Sequence, residues 1–175
     1  QARSRYPRAI AVKDGPPDPD FDGVNSPVLL DGSDVAGRMV VLVTANGTRG
    51  ALAAQGARVL VCASYVVAGA TARYLREVGG DVTFVATGDH GRAEEDVSCA
   101  EYIDALMGGM NPDPQPYLRR AGRSTAAAEI NQGVSLGYLG VHRGDVAACL
   151  ELDRFPFAMV PTAHGDDLML QPVRS

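Results

Sequence analysis

Three short apolar runs, each followed by a helical pattern, constrain the fold of this chain more than any other feature. The runs occupy residues 39–43, 59–62 and 82–86. Their length and composition are typical of buried strands whose two faces are both covered. Strands that alternate with helices predict an α/β domain, a three-layer αβα arrangement around a largely parallel sheet.

The remaining segments complete this pattern. Prolines and glycines mark residues 14–27 as a loop, after a short extended piece at 9–12, and mark residues 108–116 as a linker. Apolar segments at 157–161 and 168–173 flank a glycine-containing turn and predict a C-terminal hairpin, which would make the sheet mixed. Helices are predicted at about 50–55, 66–78, 93–107, 124–138 and 145–152.

Composition limits the class of protein. A length of 175 residues predicts one domain that covers the whole chain, 1–175. A net charge of −5 argues against nucleic acid and anionic membranes as partners, because both require a basic surface. No apolar stretch approaches the roughly 20 residues that span a bilayer. Arginine supplies nearly all of the positive charge, which suggests a GC-rich bacterial genome.

Cysteine usage indicates the compartment. Cys62, Cys99 and Cys149 are too few and too widely spaced for a disulfide framework or a zinc knuckle. They are typical of reduced core residues, so we expect a cytoplasmic protein.

The polar hexapeptide at residues 44–49 follows the first apolar run and precedes a helix, a common way to build an anion site. Asn46 and Thr48 offer side-chain donors, and Gly47 lets a ligand approach the backbone closely. Arg49 supplies a planar cation suited to phosphate. The same residues would also form a tight turn with Thr48 as the helix N-cap.

A second polar segment, residues 88–96, lies between the third apolar run and the next helix. Ligands of open α/β sheets bind at the carboxyl ends of the strands, so the two segments are expected to share one crevice. Helical spacing places Asp96 on the face that packs on the sheet, which favours a functional or buried hydrogen-bonding role. For Glu95 the sequence does not decide between a functional role and a favourable interaction with the helix dipole. Glu94 is interpreted as an acidic residue that only complements the dipole. His90 is more typical of a surface loop than of a proton donor. The residues expected to face outward are Glu94, Ser98 and Glu101.

An ordered set of short motifs runs along the chain. The set comprises Gly15, Phe-Asp at 21–22, Asn-Ser-Pro at 25–27, the hexapeptide at 44–49, Ser64, Glu-Asp-Val at 95–97, Cys-Ala at 99–100, Gly-Asp-Val at 144–146, Cys149 and Asp153. From about residue 9 to the C-terminus, this order resembles the 2-phosphosulfolactate phosphatase family. Members of that family are magnesium-dependent hydrolases of a sulfonated phosphate ester in coenzyme M biosynthesis.

The resemblance implies a phosphoric monoester hydrolase that acts on a small phosphorylated hydroxy acid. It implies that residues 46–49 hold phosphate oxygens and that Asn25 and Ser26 line the substrate end of the site. Asp96 and Glu95 would be the catalytic residues and also the Mg²⁺ ligands.

The chain also departs from the family pattern. Family members carry an N-terminal strand motif, Val-Ile-Asp-Val-x-Arg-Ala-Thr/Ser, to which nothing here corresponds, so an N-terminal segment is expected to be missing. Val67 stands where Asn is usual, and Glu101 where Gly is usual.

Two other classes of function stay open at this point. One is a noncatalytic homologue that binds a small anionic ligand or serves in assembly. The other is a nucleotide-dependent α/β enzyme, which the absence of a Walker sequence and of Gly-x-Gly-x-x-Gly disfavours. A homodimer is one option for the assembly.

Overall fold

The computed structural model describes residues 2–31, 34–44, 46–88, 93–165 and 167–174. The strands are β1 (Ile10–Lys13), β2 (Gly23–Val24), β3 (Val40–Val43), β4 (Ala158–His164) and β5 (Asp167–Val173). The helices are α1 (Ala2–Arg5), α2 (Pro27–Asp31), α3 (Asn46–Ala53), α4 (Ala68–Val78), α5 (Glu94–Met107), α6 (Gln115–Ala121), α7 (Thr125–Ser135) and α8 (Asp145–Cys149). The predicted α/β class is confirmed.

A parallel three-stranded sheet has the order β2-β1-β3. The register pairs Ile10 with Val40 and Lys13 with Val43, so β1 and β3 end side by side. The central strand β1 is buried, whereas most of β3 is exposed, because no described strand pairs with its second edge. The predicted strand at 39–43 therefore exists, but it is an outermost strand of the described sheet and is largely exposed.

The C-terminal hairpin is confirmed, and β4 and β5 pair as a separate antiparallel sheet. The prediction of a strand at 59–62 is wrong. In this segment the Cys62 amide donates to the Met159 carbonyl of β4 at 2.9 Å, an isolated bridge. A strand needs a ladder of such bonds along its length, and no further bridge to this segment is described.

The strand predicted at 82–86 is also wrong. These residues form no ladder with any described strand, and Val85 is 61% exposed. An apolar run favours the extended conformation, but only a partner backbone turns it into a strand.

The core lies between helices α4, α5 and α6. Its buried side chains are Tyr65, Ala68, Ala72, Cys99, Tyr102, Ile103 and Ala121. Ser98 of α5 is fully buried here, so the prediction that it faces outward is wrong. Its hydroxyl accepts from the Tyr65 hydroxyl at 2.9 Å and donates to the Tyr117 carbonyl at 2.8 Å, which compensates its burial.

The long helices follow the sequence pattern closely, since α4 and α5 cover the predicted 66–78 and 93–107 within two residues. Helix α4 follows a short 3₁₀ turn and ends where Gly79 has a φ of +65°. Helices α2 and α6 and strand β2 fall in or beside segments predicted as loop or linker. None of the described helices is long and apolar enough to cross a bilayer.

Candidate active site

The carboxyl ends of the three parallel strands lie together and form the sheet edge that matters for the site. Each strand is followed by polar residues. The Asp14 amide donates to the Val43 carbonyl at 3.2 Å, and the Asn25 amide donates to the Lys13 carbonyl at 2.7 Å. These bonds bring the residues that follow β1, β2 and β3 together. This edge is where open α/β sheets bind ligands.

The predicted anion loop proves to be the first turn of α3, which begins at Asn46, earlier than the predicted residue 50. Asn46, Gly47, Thr48 and Arg49 are all exposed. The first amides of a helix lack intrahelical partners, so the amides of Asn46 and Gly47 are candidates for binding an anion. A Cβ placed on Gly47 would have nothing within 4 Å, which leaves the backbone open to a ligand.

Thr48 already has a partner inside the protein. Its hydroxyl donates to the Thr44 carbonyl at 2.6 Å and thereby ties the end of β3 to the first turn of α3. A hydroxyl that donates here can still accept from another group. Its predicted role as a donor to phosphate stays a prediction.

Asp14 is a candidate that the sequence reasoning missed. The Asn25 side-chain amide donates to Asp14 Oδ1 at 2.7 Å, and both residues are exposed at the sheet edge. A signal for Asp14 existed, because it follows the apolar piece 9–12 just as the predicted anion loop follows 39–43. The apolar piece was too short to suggest a strand.

Ser26 does not face the same space as Asn25. It is 1% exposed, and its hydroxyl donates to the Asp145 carboxylate at 2.7 Å. It also accepts from the Leu29 amide at 3.3 Å, near the start of α2. The geometry therefore gives Ser26 an internal role, and a contact with substrate stays a prediction.

Asp96 organises the backbone that precedes α5. Its Oδ2 accepts from the Thr87 amide at 3.0 Å and from the Gly88 amide at 3.3 Å. A Cβ placed on Gly88 would lie 2.9 Å from the Ala93 Cβ, 3.7 Å from Glu95 Oε1 and 3.9 Å from Asp96 Oδ2. Both predicted carboxylates therefore lie beside the closely packed backbone of Gly88.

A close contact joins the two predicted segments. Gly50 of α3 packs against Thr87, and a Cβ placed on Gly50 would collide with the Thr87 methyl group. Because the Thr87 amide also donates to Asp96, Thr87 links α3 at Gly50 to the start of α5.

The donor set suits a hard cation that keeps several waters. Asp14, Glu95 and Asp96 offer carboxylate oxygens, and Mg²⁺ typically takes only one or two carboxylates beside a phosphate. Within the described residues, no three His, Cys, Asp or Glu side chains form a metal-binding group. Among the described residues these carboxylates therefore form no all-protein cage, and a Mg²⁺ site at Asp96 and Glu95 stays a prediction.

Cys99 and His142, which lie in elements near the candidate site, are both engaged within the fold. Burial raises the pKa of the Cys99 thiol to about 12, with a further contribution from the charge of Asp96. His142 Nδ1 accepts from the Gly144 amide at 3.1 Å, so this nitrogen is already engaged within the protein. His90 and Arg92 lie outside the described residues.

Sequence comparisons identify the family of this chain. A family model described as 2-phosphosulpholactate phosphatase matches residues 9–164. Proteins named probable 2-phosphosulfolactate phosphatase are similar to this chain. That of Deinococcus radiodurans is 37% identical over 91% of this chain and 76% of its own length. That of Thermoplasma acidophilum is 28% identical over 86% and 65% of the two chains, and that of Thermus thermophilus 42% identical over 54% and 43%.

These relatives are named as phosphatases, which are phosphoric monoester hydrolases. The resemblance inferred from the ordered motifs is confirmed, since the matched region includes every motif on which it was based. The chain belongs to the 2-phosphosulfolactate phosphatase family.

Proposed function

We propose that this chain hydrolyses the phosphate monoester of a small hydroxy acid of the 2-phosphosulfolactate type and requires Mg²⁺. The observation that supports this most is the exposed first turn of α3, where Gly47 leaves its backbone accessible to a ligand. Phosphate binds well at such a turn because the free amides and the helix dipole both favour an anion.

Each group has a distinct task in this proposal. The amides of Asn46 and Gly47 bind phosphate oxygens, and the Arg49 guanidinium offsets their charge. Asp96 and Glu95 would hold the cation, and Asp14 is a further candidate carboxylate. When bound, Mg²⁺ supplies positive charge that stabilises the phosphoryl group during transfer.

The test uses purified protein with 2-phosphosulfolactate and measures released phosphate with and without a chelator. Asp96→Asn keeps an oxygen acceptor for the Thr87 amide but removes the charge, so we expect activity to fall about 10²–10³-fold. Glu94→Gln is the matched control, because Glu94 is an exposed acid in the same helical turn. Activity unaffected by both chelation and Asp96→Asn would refute the proposed mechanism.

A measurement independent of activity checks the cation. Titration calorimetry with Mg²⁺ should show weaker binding to Asp96→Asn than to Glu94→Gln. Equal binding by the two variants would place the cation elsewhere.

A second candidate is a noncatalytic anion-binding homologue. The favouring observation is that Thr48 and Asp96 already bond within the protein, as they would in a purely structural turn. Inorganic phosphate that binds near Gly47, without turnover of any phosphate ester in the presence of Mg²⁺, would favour this candidate.

The biological setting is also a proposal. A role in coenzyme M biosynthesis in a bacterial cytoplasm rests on the family resemblance and on composition, and a homodimer stays a prediction. Activity on other phosphorylated hydroxy acids, measured beside 2-phosphosulfolactate, would define the substrate range.

A further inference from the structure

The loop between α7 and α8, residues 136–144, packs beside the residues that follow β1 and β2 at the same sheet edge. It leads directly into Asp145, the first residue of α8, which is only 4% exposed. The motif Gly-Asp-Val at 144–146 supported the family resemblance, but the proposed function assigns Asp145 no task.

The Asp145 carboxylate connects two distant parts of the chain. Oδ1 accepts from the Ser26 hydroxyl at 2.7 Å and from the Val28 amide at 3.3 Å. Oδ2 accepts from the His142 amide at 2.7 Å. A buried carboxylate needs such donors, because an unpaired charge in the interior is very unfavourable. The three bonds hold the start of α2 against the α7–α8 loop.

The same loop also contacts the residue after Asp14. Gly140, with a φ of +100°, packs so closely on the Gly15 carbonyl that a Cβ at this position would collide with it. One loop therefore holds the chain on the C-terminal side of both members of the Asp14–Asn25 pair.

We propose that Asp145 is a positioning residue, which holds Asn25 in place through Ser26 and so sets the geometry of the Asp14–Asn25 pair. The inference rests on the proposed function, because the pair matters for rate only if the sheet edge is the active site. Asn25 precedes the anchored Ser26 directly, so a shift of Ser26 carries the Asn25 amide away from Asp14. A misplacement of about 1 Å at a catalytic group can cost roughly 10²-fold in rate.

A purely structural role makes a different prediction, and a double-mutant cycle separates the two. Asp145→Asn replaces one of the two acceptor oxygens by an NH₂ donor, although the groups that face the carboxylate are themselves N–H and O–H donors. Asn25→Ala removes the positioned amide. If Asp145 acts through Asn25, each variant lowers kcat/KM about tenfold, and the double variant is no worse than either single one. Effects that multiply in the double variant, or an unchanged kcat/KM for Asp145→Asn, would overturn the proposal.

Ser26→Ala provides a second route if Asp145→Asn does not fold. It removes one hydroxyl from the same connection and should lower kcat/KM to a similar extent, again without further loss when combined with Asn25→Ala. Asp104→Asn, at an exposed position of α5, serves as the matched control and should leave kcat/KM within about twofold.

A second readout does not require turnover. The Asn25 side-chain NH₂ signals in a ¹H–¹⁵N NMR spectrum, assigned with Asn25→Ala, should move in Ser26→Ala toward their positions in Asp14→Asn. An inactive wild-type protein with this shift would refute the proposed function but support the positioning. An active protein whose Asn25 signals do not move would refute the positioning alone.

Discussion

Substitution of Gly50 by Ala tests whether the two halves of the site are joined as the structure indicates. Alanine raises helix propensity by about 0.8–1 kcal/mol in the interior of a helix. The new methyl group, however, would collide with the Thr87 methyl, and overpacking typically costs about 1–3 kcal/mol. The balance predicts that Gly50→Ala loses roughly 1 kcal/mol of unfolding free energy.

Gly47 offers a matched control in the same helix. A Cβ at this position would have nothing within 4 Å, so Gly47→Ala should gain about 0.4–1 kcal/mol, chiefly from lower entropy of the unfolded chain. The chain has no Trp, so urea unfolding is best followed by circular dichroism at 222 nm. We expect the two alanine variants to differ by roughly 1–3 kcal/mol, in opposite directions from the wild type.

Thr87→Ser makes the test specific. Serine removes the methyl group that collides but keeps the hydroxyl and the amide that face Asp96. In a double-mutant cycle, Gly50→Ala should therefore cost much less in the Thr87→Ser background, with a coupling of about 1 kcal/mol. If Gly50→Ala is as stable as Gly47→Ala, or if the coupling is zero, α3 does not pack on Thr87 and the reasoning fails.

Three other predictions follow from single contacts. Gly47→Ala should weaken the binding of inorganic phosphate in a calorimetric titration although it stabilises the fold, and unchanged affinity would exclude a close approach to this backbone. Asp153 has a φ of +54° and accepts from the Gly69 amide at 2.6 Å, so Asp153→Ala should lose about 1 kcal/mol in urea unfolding while Asp153→Asn loses less. Burial raises the pKa of Tyr65 from 10.0 to about 12, so its contribution to stability is present below pH 10 and is lost as the pH rises through 12. Tyr65→Phe should flatten this alkaline loss, and an identical pH profile would contradict the assignment.

Sequence-based prediction succeeded where an element is determined by residues that lie close together in the chain. Helices α4 and α5 were predicted within two residues, because apolar periodicity and the Gly79-Gly80 stop act within a few turns. The start of α3 was predicted too late. Gly47 suggested a turn, whereas the bond from Thr48 to the Thr44 carbonyl accompanies a helix that begins at Asn46.

The strands show the limit of the same reasoning. The apolar runs at 59–62 and 82–86 predict strands, but each lacks a described ladder partner apart from the single bridge at Cys62. Side-chain pattern indicates that a segment will be extended and apolar. It does not say which backbone will pair with it.

For the candidate site, sequence order was informative and spatial pairing was not. The chemistry of residues 44–49 and of Glu95-Asp96 was recognisable from their position after apolar runs. Asp14 was missed because its strand is short, and Ser26 was placed beside Asn25 although its hydroxyl points to a buried carboxylate.

The sequence by itself determined the α/β class, the long helices, the C-terminal hairpin and membership of the phosphatase family, because short periodic patterns and ordered motifs carry that information. Only the tertiary structure decided that Asp14 pairs with Asn25, that Gly50 meets Thr87, and that Asp145 holds Ser26 from 119 residues away. The physical reason is that a buried carboxylate and a strand edge are satisfied by whichever donors the folded chain brings to them. Local sequence patterns do not reveal which of these distant residues will pair.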